Sequence, residues 1–147
     1  MADTTKIKTD IEPYVRDWLS RQFSGHIFKE RSISLSTGSS YNFDAVTEDN
    51  SIVGAILCGR PRTSGGNENT GAVRKGRNDI ESLKLLPAVV KKLMVFTDSG
   101  LLELINRRAA RFGTESIEMI LCPLPVHFAE LVKRILDNAS NEQRAAH

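Results

Sequence analysis

The sequence predicts an α/β domain of three layers, α/β/α, around a mixed central sheet, and three observations carry that prediction. Apolar residues recur at three- and four-residue spacing in four stretches, as along one face of a helix, and they cluster or alternate in five short stretches between them, as in strands. The order α-β-β-β-α-β-α-β-α is a meander followed by crossover units. It requires antiparallel pairing first, parallel pairing later, and helices on both faces. The chain has 147 residues, 40% hydrophobic and 26% charged, which suits a single domain over 1–147 with one core.

The elements follow in order. Thr9 or Asp10 can cap a first helix with Pro13 in its first turn, and Ile11, Tyr14, Val15, Trp18, Leu19 and Phe23 form its apolar face. Gly25 ends it. Residues 26–36 read as a strand, with Ile33 and Leu35 alternating against Ser32, Ser34 and Ser36, but Lys29, Glu30 and Arg31 break the alternation. Residues 41–46 and 52–58 are the next two strands, joined through Asp49 and Asn50, residue types that tolerate positive φ. The stretch 52–58 is continuously apolar, as expected of a central strand covered on both faces. Residues 59–71 are a long, Gly-rich loop, the expected mobile segment.

A helix then starts near Ala72 or at an Asn78/Glu81 capping box, with Ile80, Leu83 and Leu86 inward and Pro87 as its stop. Residues 93–96 form a fourth strand. Thr97, Asp98 and Ser99 offer caps to a helix with Leu101, Ile105, Ala109 and Phe112 inward, and Gly113 stops it. Residues 117–121 are the fifth strand. A last helix starts near Pro125, with Phe128, Leu131, Val132, Ile135 and Leu136 as its stripe. The ends, 1–8 and 139–147, are polar and expected to be flexible.

No apolar run is long enough for a bilayer, and Met-Ala-Asp-Thr-Thr-Lys opens the chain with no apolar run behind it. A cytoplasmic protein with no membrane partner is the expectation. Cys58 and Cys122 read as buried free thiols, and neither has a partner at metal-ligand spacing. His26, His127 and His147 are scattered. The net charge of +2 selects no partner, but Arg60, Arg62, Arg74, Lys75 and Arg77 fall close together around the long loop and could track the phosphates of DNA or RNA. Arg107, Arg108 and Arg111 read as a solvated helix face, with Glu103 and Arg107 an i,i+4 pair.

The element order, together with Tyr-Asn-Phe-Asp-Ala-Val-Thr-Glu-Asp-Asn-Ser-Ile-Val-Gly-Ala-Ile-Leu-Cys at 41–58, resembles the PD-(D/E)XK, or restriction-endonuclease-like, nuclease superfamily. The resemblance runs from the first helix to the fifth strand. It implies that Asp44 is a metal ligand and that an acidic residue and a lysine two positions on should follow in the next strand. Hydrolysis of a phosphodiester with Mg²⁺ needs carboxylates to hold the ion and a cation near the developing charge.

A hairpin turning on Asp49 and Asn50 sets Asp44 opposite Ala55 and Asn42 opposite Leu57. The acidic-x-Lys half is therefore missing from its place, and a one-residue slip brings only Gly54, Ile56 or Cys58. Burial among apolar neighbours would raise the pKa of Asp44 unless a cation or a donor lies close.

Three replacements are available: Glu30 as a second carboxylate, Asp79 or Glu81 from the following helix, and Lys75 or Lys84 as the lysine. Glu81 as a capping partner and Asp79 as a first-turn acid would be structural instead.

Three functions follow. The leading one is a nuclease-fold protein without catalysis that binds nucleic acid or a protein. The second is an active Mg²⁺-dependent nuclease with relocated residues, built on Asp44 with Glu30, Asp79 and Lys84. The third is a self-associating domain, a homodimer through the last helix.

Overall fold

The structure, a computed structural model, describes residues 5–63 and 65–145. A π-helical turn, Ile7–Ile11, leads into α1 (Glu12–Gln22). There follow β1 (Phe28–Ser34), β2 (Ser40–Thr47), β3 (Ile52–Leu57), α2 (Thr70–Lys84), β4 (Lys91–Phe96), α3 (Ser99–Ala109), a 3-10 turn (Ala110–Phe112), β5 (Ile117–Leu121) and α4 (Val126–Ala145). The order of helices and strands is the expected one. The five strands lie in the order β1-β2-β3-β4-β5. The first two pairings are antiparallel and the last two parallel.

β3 is the middle strand and is buried along its whole length, which explains its unbroken apolar run. Its side chains alternate between two cores. Val53, Ala55 and Leu57 join Met94 and Phe96 under α2 and α3, where Ile80, Leu83, Leu101 and Ile105 cover them. Ile52 and Ile56 join Leu93 and Val95 on the other face, covered by Ile11, Val15 and Leu19 from the first helical segment and Val132 from α4. Each fully buried aliphatic side chain of this kind contributes about 1.5–3 kcal/mol. Cys58 and Cys122 are free and buried in the second core. Burial pushes their thiols up, to about 12 and about 11.

Three boundaries differ from the sequence expectation. Helical structure begins at residue 5, so residues 5–8 are not a frayed end. Pro13 has no N–H to give, and the turn before it widens so that the Glu12 N–H bonds to the Ile7 carbonyl. α2 starts at Thr70 because the Asn69 side chain accepts the Ala72 N–H at 3.1 Å. Glu81 is thus no capping partner and pairs instead with Arg77. α4 continues to Ala145, beyond the expected end at Asn138.

The segment 59–71 is folded back on itself by an Arg62–Glu68 bridge and by hydrogen bonds from Thr63 to Asn67 and from Asn69 to Pro61. Residues 1–4, Ser64 and 146–147 lie outside the described residues, as does the side chain of Phe112, which the spacing sets inward. Among the described residues no helix is long and apolar enough to cross a membrane.

Candidate functional site

The site begins with a bulge. Along β1 and β2 the register changes by one between Lys29 opposite Val46 and Arg31 opposite Phe43. Asp44 and Ala45 together therefore face Glu30, which is the residue count of a β-bulge. The interruption of alternation at Lys29, Glu30 and Arg31 has this cause. Phe43 and Val46 lie in one core and Ala45 in the other, so the bulge also reverses the facing of the strand.

β2 and β3 pair at Ala45 with Gly54 and at Val46 with Val53, the expected register. Beyond that point side chains join the strands. The Ile56 N–H donates to Asp44 Oδ2 at 2.8 Å, and the carbonyl of Asp44 accepts from Arg16 Nη1 at 3.0 Å.

Asp44 is 7% exposed, and it has company that the motif geometry did not foresee. One carboxylate oxygen each from Glu12, Glu30 and Asp44 lies within 4.8 Å of the others. Hard oxygen ligands at this spacing suit Mg²⁺ or Mn²⁺.

Cations surround the cluster. Lys8 Nζ is 3.3 Å from Glu30 and 3.9 Å from Glu12, Arg16 is 3.7 Å from Glu12, and Lys75 Nζ is 3.3 Å from Asp44. Asn42 Nδ2 donates to Glu30 at 2.9 Å. Lys75 also pairs with Asp79 at 2.7 Å, and the Tyr41 hydroxyl donates to Asp79 at 2.6 Å. Four carboxylates against three cations leave one negative charge, a balance that favours a further cation.

The titrations reflect this crowding. Burial, followed by the charge of Asp44, raises the pKa of Glu12 despite Lys8, Arg16 and Lys75. Burial opposes the charge on Lys75, but Asp79 and Asp44 more than offset it, and its pKa is raised. Burial raises the Tyr41 hydroxyl and its bond to Asp79 raises it further, so it stays protonated as a donor. Glu30 loses some solvation, yet Lys8 and Asn42 hold it below the usual carboxylate range.

The structure thus brings together Asp44, Glu30, Asp79 and Lys75. Lys84 lies nine residues past Lys75, about 13 Å along α2 at 1.5 Å per residue, and lines cavities with Arg77 and Arg111 and with Leu35 and Leu86. Of the two lysines weighed for the relocated role, Lys75 is the one at Asp44.

The residues of the basic group have different surroundings. Arg60 pairs with Asp137 of α4, Arg62 Nη1 donates to the Gly66 carbonyl at 2.9 Å, and Arg77 pairs with Glu81 at 3.3 Å. Lys75 turns to the acidic cluster, and Arg74 is exposed on α2.

The sequence reading passed over Glu12, and with it Lys8, Arg16 and Tyr41. A signal was present: Glu12 stands three residues before Val15 and seven before Leu19, on the stripe that faces the core. A carboxylate on that stripe, with Arg16 one turn on, marks a buried charge with a purpose. No family model, curated protein or solved structure matches this chain.

Proposed function

We propose that the chain is a metal-dependent phosphodiester hydrolase acting on nucleic acid, a restriction-endonuclease-like domain whose acidic-x-Lys half has moved off the third strand. The observation that carries this reading is the convergence of Glu12, Glu30 and Asp44 within 4.8 Å beside the Lys75 ammonium. α1 supplies Glu12, the β1–β2 bulge supplies Glu30 and Asp44, and α2 supplies the lysine. The element order supports the same fold family.

Glu12, Glu30 and Asp44 would hold Mg²⁺ or Mn²⁺, which when bound polarises the scissile phosphate and lowers the pKa of water. Both hydrogen bonds described for the Asp44 carboxylate fall on Oδ2, so Oδ1 keeps its lone pairs for the ion. Lys75 offers a positive charge to the equatorial oxygens of the phosphate as negative charge grows there. Lys8 and Arg16, already at the cluster, hold Glu30 ionised and offset part of the cost of a charge on Glu12.

A second reading draws on the same cations. Lys8, Arg16 and Lys75 neutralise most of the cluster without a metal, as in a nuclease-fold protein that only binds nucleic acid or a protein partner. Titration calorimetry with Mn²⁺ separates the two. Wild type should bind one or two ions and Asp44→Ala none, whereas a wild type without a binding heat leaves the binding-only reading.

A further inference from the structure

We propose that Tyr41 and Asp79 form a positioning pair for Lys75, holding its ammonium at the edge of the acidic cluster. This rests on the reading of that cluster as a phosphodiesterase site.

A lysine is a flexible stem with a point charge at its end. The Lys75 side chain is 45% exposed, so packing alone does not fix it. Asp79 is fixed: its side chain is 3% exposed and both its oxygens are engaged. Oδ1 accepts the Tyr41 hydroxyl at 2.6 Å and Oδ2 accepts Lys75 at 2.7 Å. The Tyr41 ring is held in turn against Phe43, with centroids 4.9 Å apart. Tyr41 and Asp44 share β2, while Lys75 and Asp79 are one turn apart on α2, so the pair ties the helix to the strand that bears the metal ligand.

The distances assign the roles. Lys75 is closer to Asp79, at 2.7 Å, than to Asp44, at 3.3 Å. Asp79 is not one of the three residues whose oxygens converge. Asp79 therefore draws the ammonium partly away from Asp44, which keeps Asp44 a ligand, yet leaves it near enough to meet a phosphate bound there. Without Asp79, Lys75 would settle on Asp44 or turn to solvent. An acidic residue buried only to balance Lys75 would need neither the tyrosine nor the split between two carboxylates.

The test is Mn²⁺-dependent cleavage by wild type, Tyr41→Phe, Asp79→Asn, Lys75→Met and the double variant Lys75→Met/Asp79→Asn, with kcat, KM and Mn²⁺ affinity measured for each. Asp79→Asn should lower kcat about 10- to 100-fold, the usual effect of losing an orienting partner, with KM and Mn²⁺ affinity unchanged. Tyr41→Phe removes one hydroxyl and should give a smaller loss of the same kind. It carries the test if Asp79→Asn does not fold. In the Lys75→Met background, Asp79→Asn should cost nothing more, because it acts through the lysine.

Equal losses on both backgrounds would overturn the proposal, and so would weaker Mn²⁺ binding by Asp79→Asn, which would make Asp79 a ligand. A wild type that neither binds Mn²⁺ nor cuts overturns the phosphodiesterase reading itself, and this role with it.

Discussion

Replacing Glu12 by Gln should leave the metal-free protein at least as stable as wild type while removing its response to metal. Glu12 is 6% exposed and lies within 4.8 Å of the Asp44 and Glu30 oxygens. At an effective dielectric of about 20, a like-charge pair at 4.8 Å costs about 3.5 kcal/mol, and the attraction of Arg16 at 3.7 Å returns about 4.5 kcal/mol. The Lys8 side chain is 63% exposed and that of Glu30 40%, so solvent reduces each of their effects on Glu12 to about 1 kcal/mol.

Attraction and repulsion then nearly cancel. What remains is the cost of burying the charge, in keeping with the raised pKa of Glu12. Gln keeps the shape and removes that cost, a gain on the order of 1 kcal/mol, or about 2–4 °C in Tm.

Calorimetric or fluorescence melts check this directly. Mn²⁺ at 100 times its Kd stabilises wild type by about 2.7 kcal/mol, and Glu12→Gln should lose most of that rise. The wild type should also lose stability as pH climbs above 4.5, the ordinary value of Glu12, because the unfolded chain releases that proton first. The variant should lose less, since only the raised Asp79 then titrates this way. A variant destabilised by 2 kcal/mol or more, or one with an undiminished Mn²⁺ shift, refutes the electrostatic reasoning.

Other outcomes follow from single contacts. Lys75→Met leaves the 3%-exposed Asp79 side chain without its cation and should cost about 1–3 kcal/mol in urea melts, and an unchanged midpoint would show that the pair is idle. Gly76→Val should cost about 1–3 kcal/mol, since even a Cβ there would lie 2.8 Å from Ile105 Cδ1; Gly76→Ala should cost less, as its better helix propensity offsets part of the strain by about 1 kcal/mol. Asp49 is held down to about 2 by hydrogen bonds from Ser51 and Thr47. Its contribution to the hairpin is present above the ordinary value of 3.8 and lost as pH falls toward 2, so amide exchange at Ser51 should quicken over that window in wild type and not in Asp49→Asn. Cys58 and Cys122 should resist a thiol reagent until the protein unfolds, and rapid native labelling would contradict their burial.

The sequence made the layers legible because apolar periodicity reports which faces are covered. It located β3 as the central strand, set the β2–β3 register through Asp49 and Asn50, and placed Asp44 on its strand. The bulge was hidden, since one unpaired residue leaves no mark beyond a broken alternation at Lys29, Glu30 and Arg31. Glu12 was legible only in part: its spacing from Val15 and Leu19 sets it on the apolar stripe, but which charges it meets there depends on the packing. The partners of Asp44 come from α1, β1 and α2, and no local spacing links positions 12, 30, 44 and 75. Of the two starts open for α2, the structure takes the one near Ala72, because Asn69, inside the loop, caps the helix before Asn78 could.

The most direct measurement is cleavage of pooled single- and double-stranded DNA and RNA in Mg²⁺ and in Mn²⁺, with wild type beside Asp44→Ala. Wild type should cut only with metal, and Asp44→Ala should not cut at all. A well-folded wild type that leaves every pool intact with either ion would contradict a catalytic site at Glu12, Glu30 and Asp44.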